Sequence, residues 1–198
     1  MPIDLKNISF SYGRKLILKD FNLSVKDGEC ICLLGASGCG KTTTIRLIAG
    51  LETPQSGIID THEGKISIVF QEDRLLPWAT ALQNISLPLT DTDKSIAKKM
   101  LEQVGLSDCF DLLPEEMSGG MCRRVAIARS LAFGGDILLL DEPFNGIDAE
   151  NKRSLAKLIL ELFCDKTIIL ITHIAEDAKL LGAATIDFND SSVKYQNK

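Results

Sequence analysis

The chain has 198 residues, enough for one domain with a real core, and its composition (45% hydrophobic, 25% charged) is that of a soluble globular protein. A net charge of −5 leaves no global basic footprint, so a nucleic-acid partner is not expected. The start, MPIDLKNISF, lacks a basic-plus-apolar signal region, and the longest apolar runs, Ile137 to Leu140 and Ile168 to Ile171, are far too short to span a bilayer, so any membrane role must come through a partner.

In chain order, residues 3–10 read as a strand, Tyr12-Gly13 as a turn, and Leu16 to Leu18 with Phe21 to Val25 as a second strand region. Tyr12 offers either a packed strand-end aromatic or a flat surface for a base, and position alone favours packing. Asp27-Gly28 is a turn signal expected to join the second strand as a hairpin to the next one, Cys30 to Leu34. That strand delivers the chain to Gly35-Ala36-Ser37-Gly38-Cys39-Gly40-Lys41-Thr42, which has the spacing Gly, four residues, Gly-Lys-Thr. A helix from Thr43 to Ala49 follows, ended by Gly50. A strand, a glycine-rich curl and a helix N-terminus together aim backbone N–H groups at a phosphate chain. Lys41 can then reach the β- and γ-phosphates, and the Thr42 hydroxyl can ligate Mg²⁺.

Ile58-Ile59 and Ile66 to Phe70 are β-like, split by a turn at 61–64, and Gln71 stands at the end of the second. Residues 72–134 then read as a helical insertion in an α/β domain. Helices are expected at 80–86 and 94–104, the latter with Ile96, Met100, Leu101 and Val104 at helical spacing, and a short helical piece at Asp108 to Leu113. Ser118-Gly119-Gly120 precedes a helix from Cys122 to Leu131 bearing Arg123, Arg124 and Arg129. It reads either as a cap with glycines for a turn or as a second phosphate contact.

Ile137 to Leu140 is a buried strand whose end carries Asp141 and Glu142. At the carboxyl edge of a parallel sheet one acid can hold Mg²⁺ and the other can polarise a water against a γ-phosphate. After an amphipathic helix at 150–163, the strand Thr167 to Ile171 ends in Thr172-His173, where a neutral imidazole could reach the same phosphate. A helix at 175–181, a last strand at 184–188 and a frayed tail at 191–198 complete the reading. The six cysteines (Cys30, Cys32, Cys39, Cys109, Cys122 and Cys164) include no C-x-x-C pair, so small buried side chains in a reducing cytosol are expected.

Taken together, these motifs and their order resemble an ABC-type ATPase, the nucleotide-binding subunit of an ATP-driven transporter, over nearly the whole chain. Gly35 to Thr42 matches the Walker A loop, Ile137 to Asp141 Walker B, and Glu142 the catalytic glutamate after it. Gln71 matches the Q-loop, Ser118-Gly119-Gly120 the signature, Asp148 the D-loop aspartate and His173 the switch histidine. The resemblance implies a P-loop NTPase with a RecA-like core and N-terminal antiparallel β region (1–71 and 135–198) and a helical subdomain (72–134). It also implies that Tyr12 stacks on adenine, against the packed reading, and that the loop including Thr43 holds ATP. Mg²⁺ would touch Thr42 and Gln71 with Asp141 behind a water, and Glu142, His173 and Gln71 would serve catalysis. The implied partners are a second copy of the chain, permease subunits docked near Gln71 to Trp78 through exposed Leu75, Leu76 and Trp78, and an extracytoplasmic solute-binding protein. The implied place is the cytoplasmic face of the membrane.

Val69 to Trp78, VFQEDRLLPW, closely resembles the nitrate, sulfonate and taurine importers, with pyrimidine-precursor importers similar. Two departures stand out: MSGGM where LSGGQ is usual, and Asn145-Gly146-Ile147-Asp148 where Ser-Ala-Leu-Asp is common. They suggest, as the alternative, a non-transport or regulatory ABC ATPase with weak hydrolysis.

Overall fold

A computed structural model of the chain describes residues 1–89, 94–188 and 194–195. Two sheets organise it. The first is four-stranded, in the order β4-β1-β2-β9, with β1 (Ile3–Tyr12), β2 (Lys15–Val25), β4 (Ser56–Asp60) and β9 (Lys194–Tyr195). β1 is antiparallel to β2 and β4, and β9 runs parallel to β2. The second sheet is five-stranded and wholly parallel, in the order β5-β6-β7-β3-β8, with β3 (Cys30–Leu34), β5 (Ile66–Val69), β6 (Ile137–Asp141), β7 (Thr167–Ile171) and β8 (Ala184–Asp187).

The inner strands β3, β6 and β7 are near-continuous apolar runs because both faces of their sheet are covered. Alternate residues serve two separate cores. Ile31, Leu33, Ile137, Leu139, Ile169 and Ile171 pack with Ile3, Leu5, Ile8 and Phe10 of β1 and with Ile45 and Ile48 of α1 (Lys41–Ile48). Cys32, Leu138, Leu140, Ile168 and Leu170 face the other way. They pack against the helical side: α2 (Ala81–Ser86), α3 (Ser95–Gln103), α4 (Gly119–Phe133), α5 (Ala149–Leu162) and α6 (Ala175–Leu180). Between β5 and β6 the chain leaves the sheet, and α2, α3 and α4 pack on one another.

Several expectations need correction. Asp27-Gly28 does not form a hairpin between β2 and β3, which lie in different sheets. The turn closes with Glu29 N–H donating to Lys26 O, Gly28 N–H is taken by the Thr167 hydroxyl, and the chain is handed to the parallel sheet. Asp108 to Leu113 is a set of turns rather than a helix, because the carbonyls of Phe110 and Leu112 point away to accept the N–H groups of Leu82 and Ala81 at the start of α2. A single 3-10 turn, Pro114–Glu116, follows. α4 begins at Gly119, three residues earlier than expected, because Ser118 caps it by accepting the Met121 N–H at 3.3 Å. On α3 the inner face is Ala97, Met100 and Leu101, and Ile96 points outward. Lys194–Tyr195 of the tail pair with β2 rather than fray; residues 191–193 and 196–198 lie outside the described residues. Among the cysteines only Cys32 is fully buried and Cys164 is exposed.

Candidate functional site

Four strand ends meet at the carboxyl edge of the parallel sheet, where such sheets bind ligands. β3 delivers the glycine-rich loop, β5 delivers Gln71, β6 delivers Asp141 and Glu142, and β7 delivers Thr172 and His173. They surround a cleft of about 220 Å³ lined by Ser37, Gly38, Gly40, Lys41, Thr42, Thr43, Gln71, Asp141, Glu142 and Ile171.

The loop turns into α1 at Gly40, whose φ of 113° lies in the left-handed region. A Cβ there would stand 3.1 Å from Leu18 and 3.3 Å from Ile17, so both backbone and space demand glycine. Lys41 is buried, and its ammonium crosses the loop to donate to Gly35 O at 2.7 Å and Ala36 O at 2.9 Å, with Cys39 Sγ at 3.6 Å.

Opposite the loop, Asp141 is 3% exposed and its Oδ1 has no partner. Burial pushes its carboxyl above the ordinary range and Glu142 adds to that, against the pull of the Thr42 hydroxyl, Arg123 and Lys41. Glu142 Oε2 is likewise buried and unpartnered, while Oε1 lies 2.8 Å from His173 Nδ1. Two orphaned carboxylate oxygens beside a threonine hydroxyl and the Gln71 amide form a set of hard donors suited to Mg²⁺. Among the described residues no group of three or more His, Cys, Asp or Glu could hold a metal alone. Mg²⁺ is commonly held by one or two carboxylates together with substrate phosphates, and this donor set fits that mode.

The remaining expected residues lie elsewhere. Tyr12 ends β1 on the antiparallel sheet, is 41% exposed, and is braced by an edge contact with Phe10 and a 3.0 Å bond from its hydroxyl to Glu52. Ser118 and Gly119 are exposed at the outer end of α4 and do not line the cleft of their own chain. At Gly120 a Cβ would sit 3.1 Å from Gly146 O, so the start of α4 lies directly against the loop before Asp148. Asp148 caps α5, accepting the N–H groups of Glu150 and Asn151, and its hydrogen bonds, above all those with Asn151, hold its carboxyl below the ordinary range. Met121 packs against the core of the helical side, so a glutamine amide is not needed to start the helix. Leu75 also packs on that core, and Leu76 is half-buried with its backbone held by Asn84. Only Trp78 of that trio is fully exposed, at 75%.

The sequence reading assigned no role to Arg123. It is 3% exposed and reaches the ends of both β5 and β6. Nearby Arg129 donates to Asp73 O and Arg74 O, each at 2.9 Å. A signal for Arg123 was available: it stands four residues before Ile127 and eight before Leu131, on the apolar stripe of α4.

Comparison with known proteins gives a family for the chain. The profile described as ABC transporter matches residues 18–145. An aliphatic sulfonates import ATP-binding protein, SsuB 1 of Pseudomonas savastanoi pv. phaseolicola, is 43% identical over 188 residues, 92% of this chain and 79% of that protein. The bicarbonate transport ATP-binding protein CmpD of Synechocystis sp. is 38% identical, covering 91% and 71%. Among solved structures, a dimeric ATP-binding cassette in a post-hydrolysis state bound to ADP and Pi matches with a TM-score of 0.81 at 30% identity, covering 90% of each chain.

Proposed function

The chain belongs to the ABC transporter ATP-binding family, and from that premise we propose that it binds and hydrolyses ATP to energise a bacterial importer of a small solute. The observation that carries this reading is the convergence of Lys41, Thr42, Gln71, Asp141 and Glu142 on one cleft, with His173 bonded to Glu142 at its rim. The relatives named for sulfonates and bicarbonate favour a small anionic solute. Selection of the solute would rest with the permease and a solute-binding protein.

The glycine-rich loop and Lys41 would hold the phosphates, with Tyr12 against the adenine. Thr42, Gln71 and the orphaned Asp141 oxygen would hold Mg²⁺, which when bound neutralises charge on the phosphates. Glu142 would orient the attacking water and accept its proton, and the 2.8 Å contact to His173 fixes the direction of that carboxylate. Catalysis of this kind is positioning plus charge stabilisation.

The outward-facing Ser118 and Gly119 offer a capped helix start to a nucleotide on a second copy of the chain. ATP would thus join two copies, and hydrolysis would release them. Residues 72–134 would move as a helical lobe. A permease segment would follow it, docked at Trp78 and in a groove of about 330 Å³ lined by Phe70, Arg74, Pro88 and Arg129. Among the described residues no helix is long and apolar enough to cross a membrane. As the ATP-binding subunit of an importer, the chain would sit peripherally on the cytoplasmic face, held by its permease.

The test is Glu142→Gln, which keeps the shape and removes the charge. Phosphate release should fall by about 10²- to 10⁴-fold. ATP binding should persist and an ATP-bound dimer should accumulate on size-exclusion chromatography. Wild-type turnover in this variant would refute the assignment.

A further inference from the structure

Glu142 has a left-handed backbone, with φ of 48°. A non-glycine residue holds that conformation only when its surroundings over-determine it. Its own N–H donates to Ile171 O at 2.9 Å and its carbonyl also accepts the Asn145 N–H at 3.3 Å, but the side chain that ties both its peptide neighbours to another strand is Arg123. Arg123 donates from Nη2 to Asp141 O at 2.9 Å and Glu142 O at 2.6 Å, and from Nε to Pro143 O at 3.0 Å. Its other arm, Nη1, donates to Phe70 O at 2.6 Å, Asp73 Oδ1 at 3.0 Å and Gln71 O at 3.3 Å. All five guanidinium N–H groups are thereby used, and only a rigid planar fork can serve acceptors on both sides at once. Among the described residues the carboxylate in ion-pair contact with it, Asp73, is partly open to solvent. Main-chain oxygens supply most of the compensation for a charge buried this deeply.

Resting on the hydrolytic reading above, we propose that Arg123 is a positioning residue for hydrolysis. It clamps the strained backbone of Glu142 to the strand end that carries Gln71, so that the carboxylate and the amide face one cleft in fixed register. Arg123 lies five residues into the chain from Ser118, on the same helix. The helix start that would meet a second copy is thereby joined rigidly to the hydrolytic edge.

The experiment compares wild type, Arg123→Lys, Glu142→Gln and the double variant as purified full chains with magnesium-ATP. Lysine keeps the charge but has three donors at a point rather than a fork. A misplacement of about 1 Å at a reacting group costs about 100-fold, so Arg123→Lys should lose about that in turnover. Its ATP dissociation constant should stay within about twofold of wild type. Added to Glu142→Gln, it should cause less than about a twofold further loss, because it acts through Glu142. Wild-type turnover in Arg123→Lys, parallel loss of ATP affinity, or the same fold loss in both backgrounds would each overturn the proposal. If Arg123→Lys fails to fold, Arg123→Gln replaces it in the same cycle. Failure of both to fold would make Arg123 a structural staple and also overturn it. A wild-type chain that binds ATP without hydrolysing it would sink the proposed function along with this inference. An unimpaired Arg123→Lys beside an active wild type would sink the inference alone.

Discussion

Behind His173, α5 and α6 are tied by an ion pair whose removal should be costly. Lys152 Nζ lies 3.1 Å from Asp177 Oδ1, with side-chain exposures of 20% and 4%. The fully buried Thr172 hydroxyl donates to the other carboxylate oxygen at 3.4 Å and accepts the Ile174 N–H at 3.1 Å, framing His173 from both sides. Lys152→Met keeps most of the stem and deletes the charge. At this separation and an effective dielectric of about 20, the gross attraction is about 5 kcal/mol. The variant is spared the cost of desolvating the lysine, and the 20%-exposed pair is partly screened, so the loss should fall to about 3 kcal/mol, the low end for a broken buried pair. In a chain of this size each kcal/mol moves Tm by about 2–4 °C, which predicts a drop of about 6–12 °C in thermal unfolding followed by circular dichroism. Lys152→Met with Asp177→Asn removes both charges and should return to within about 1 kcal/mol of wild type. A single variant within about 2 °C of wild type, or a double variant as unstable as the sum of the singles, would refute the reasoning.

Three further outcomes follow from the site. Asp141 has its carboxyl raised by burial, so in the window between its unfolded and folded values the folded chain binds the extra proton and stability falls as pH rises. Above that window the penalty is constant, and Asp141→Asn should raise the Tm of the nucleotide-free chain at pH 7.5 while abolishing magnesium-dependent turnover. Ser118→Ala removes the cap on α4, costing about 1 kcal/mol by thermal unfolding. The same variant should leave ATP binding by the monomer intact and abolish the ATP-dependent dimer, as read by light scattering. Burial pushes the Cys30 and Cys32 thiols up to about 11 and about 12. Iodoacetamide at pH 8 should therefore label exposed Cys164 first and spare those two, with ATP protecting Cys39 in the loop, as read by peptide mass spectrometry.

The parallel sheet was legible in the sequence because its inner strands, β3, β6 and β7, are short apolar runs, each ending in a polar or glycine-rich turn. That same punctuation placed Lys41, Gln71, Asp141, Glu142 and His173 at strand ends, and so on one edge. What the sequence did not disclose depends on partners distant along the chain. Asp27-Gly28 looks like a hairpin turn whatever follows it; only the pairing of β3 with β7 and β8 shows that it joins two sheets. Asp108 to Leu113 has helical composition, but its carbonyls are spent on capping α2. Leu75 and Leu76 looked like an exposed surface because nothing local says that Asn84 holds their segment inward. Arg123 was read as one of three basic residues because its acceptors, all but one of them main-chain oxygens, lie between 18 and 53 residues away.

Arg123 and Arg129 of α4 take hold of residues 70–74 chiefly through peptide oxygens, those of Phe70, Gln71, Asp73 and Arg74. A grip on the main chain is indifferent to most side chains it passes. Residues at 72, 74 and beyond can therefore drift between gene duplicates without loosening the hold. On the docking and hydrolysis proposed above, paralogues built on this plan would exchange one membrane partner for another by surface substitution alone, leaving the hydrolytic site untouched.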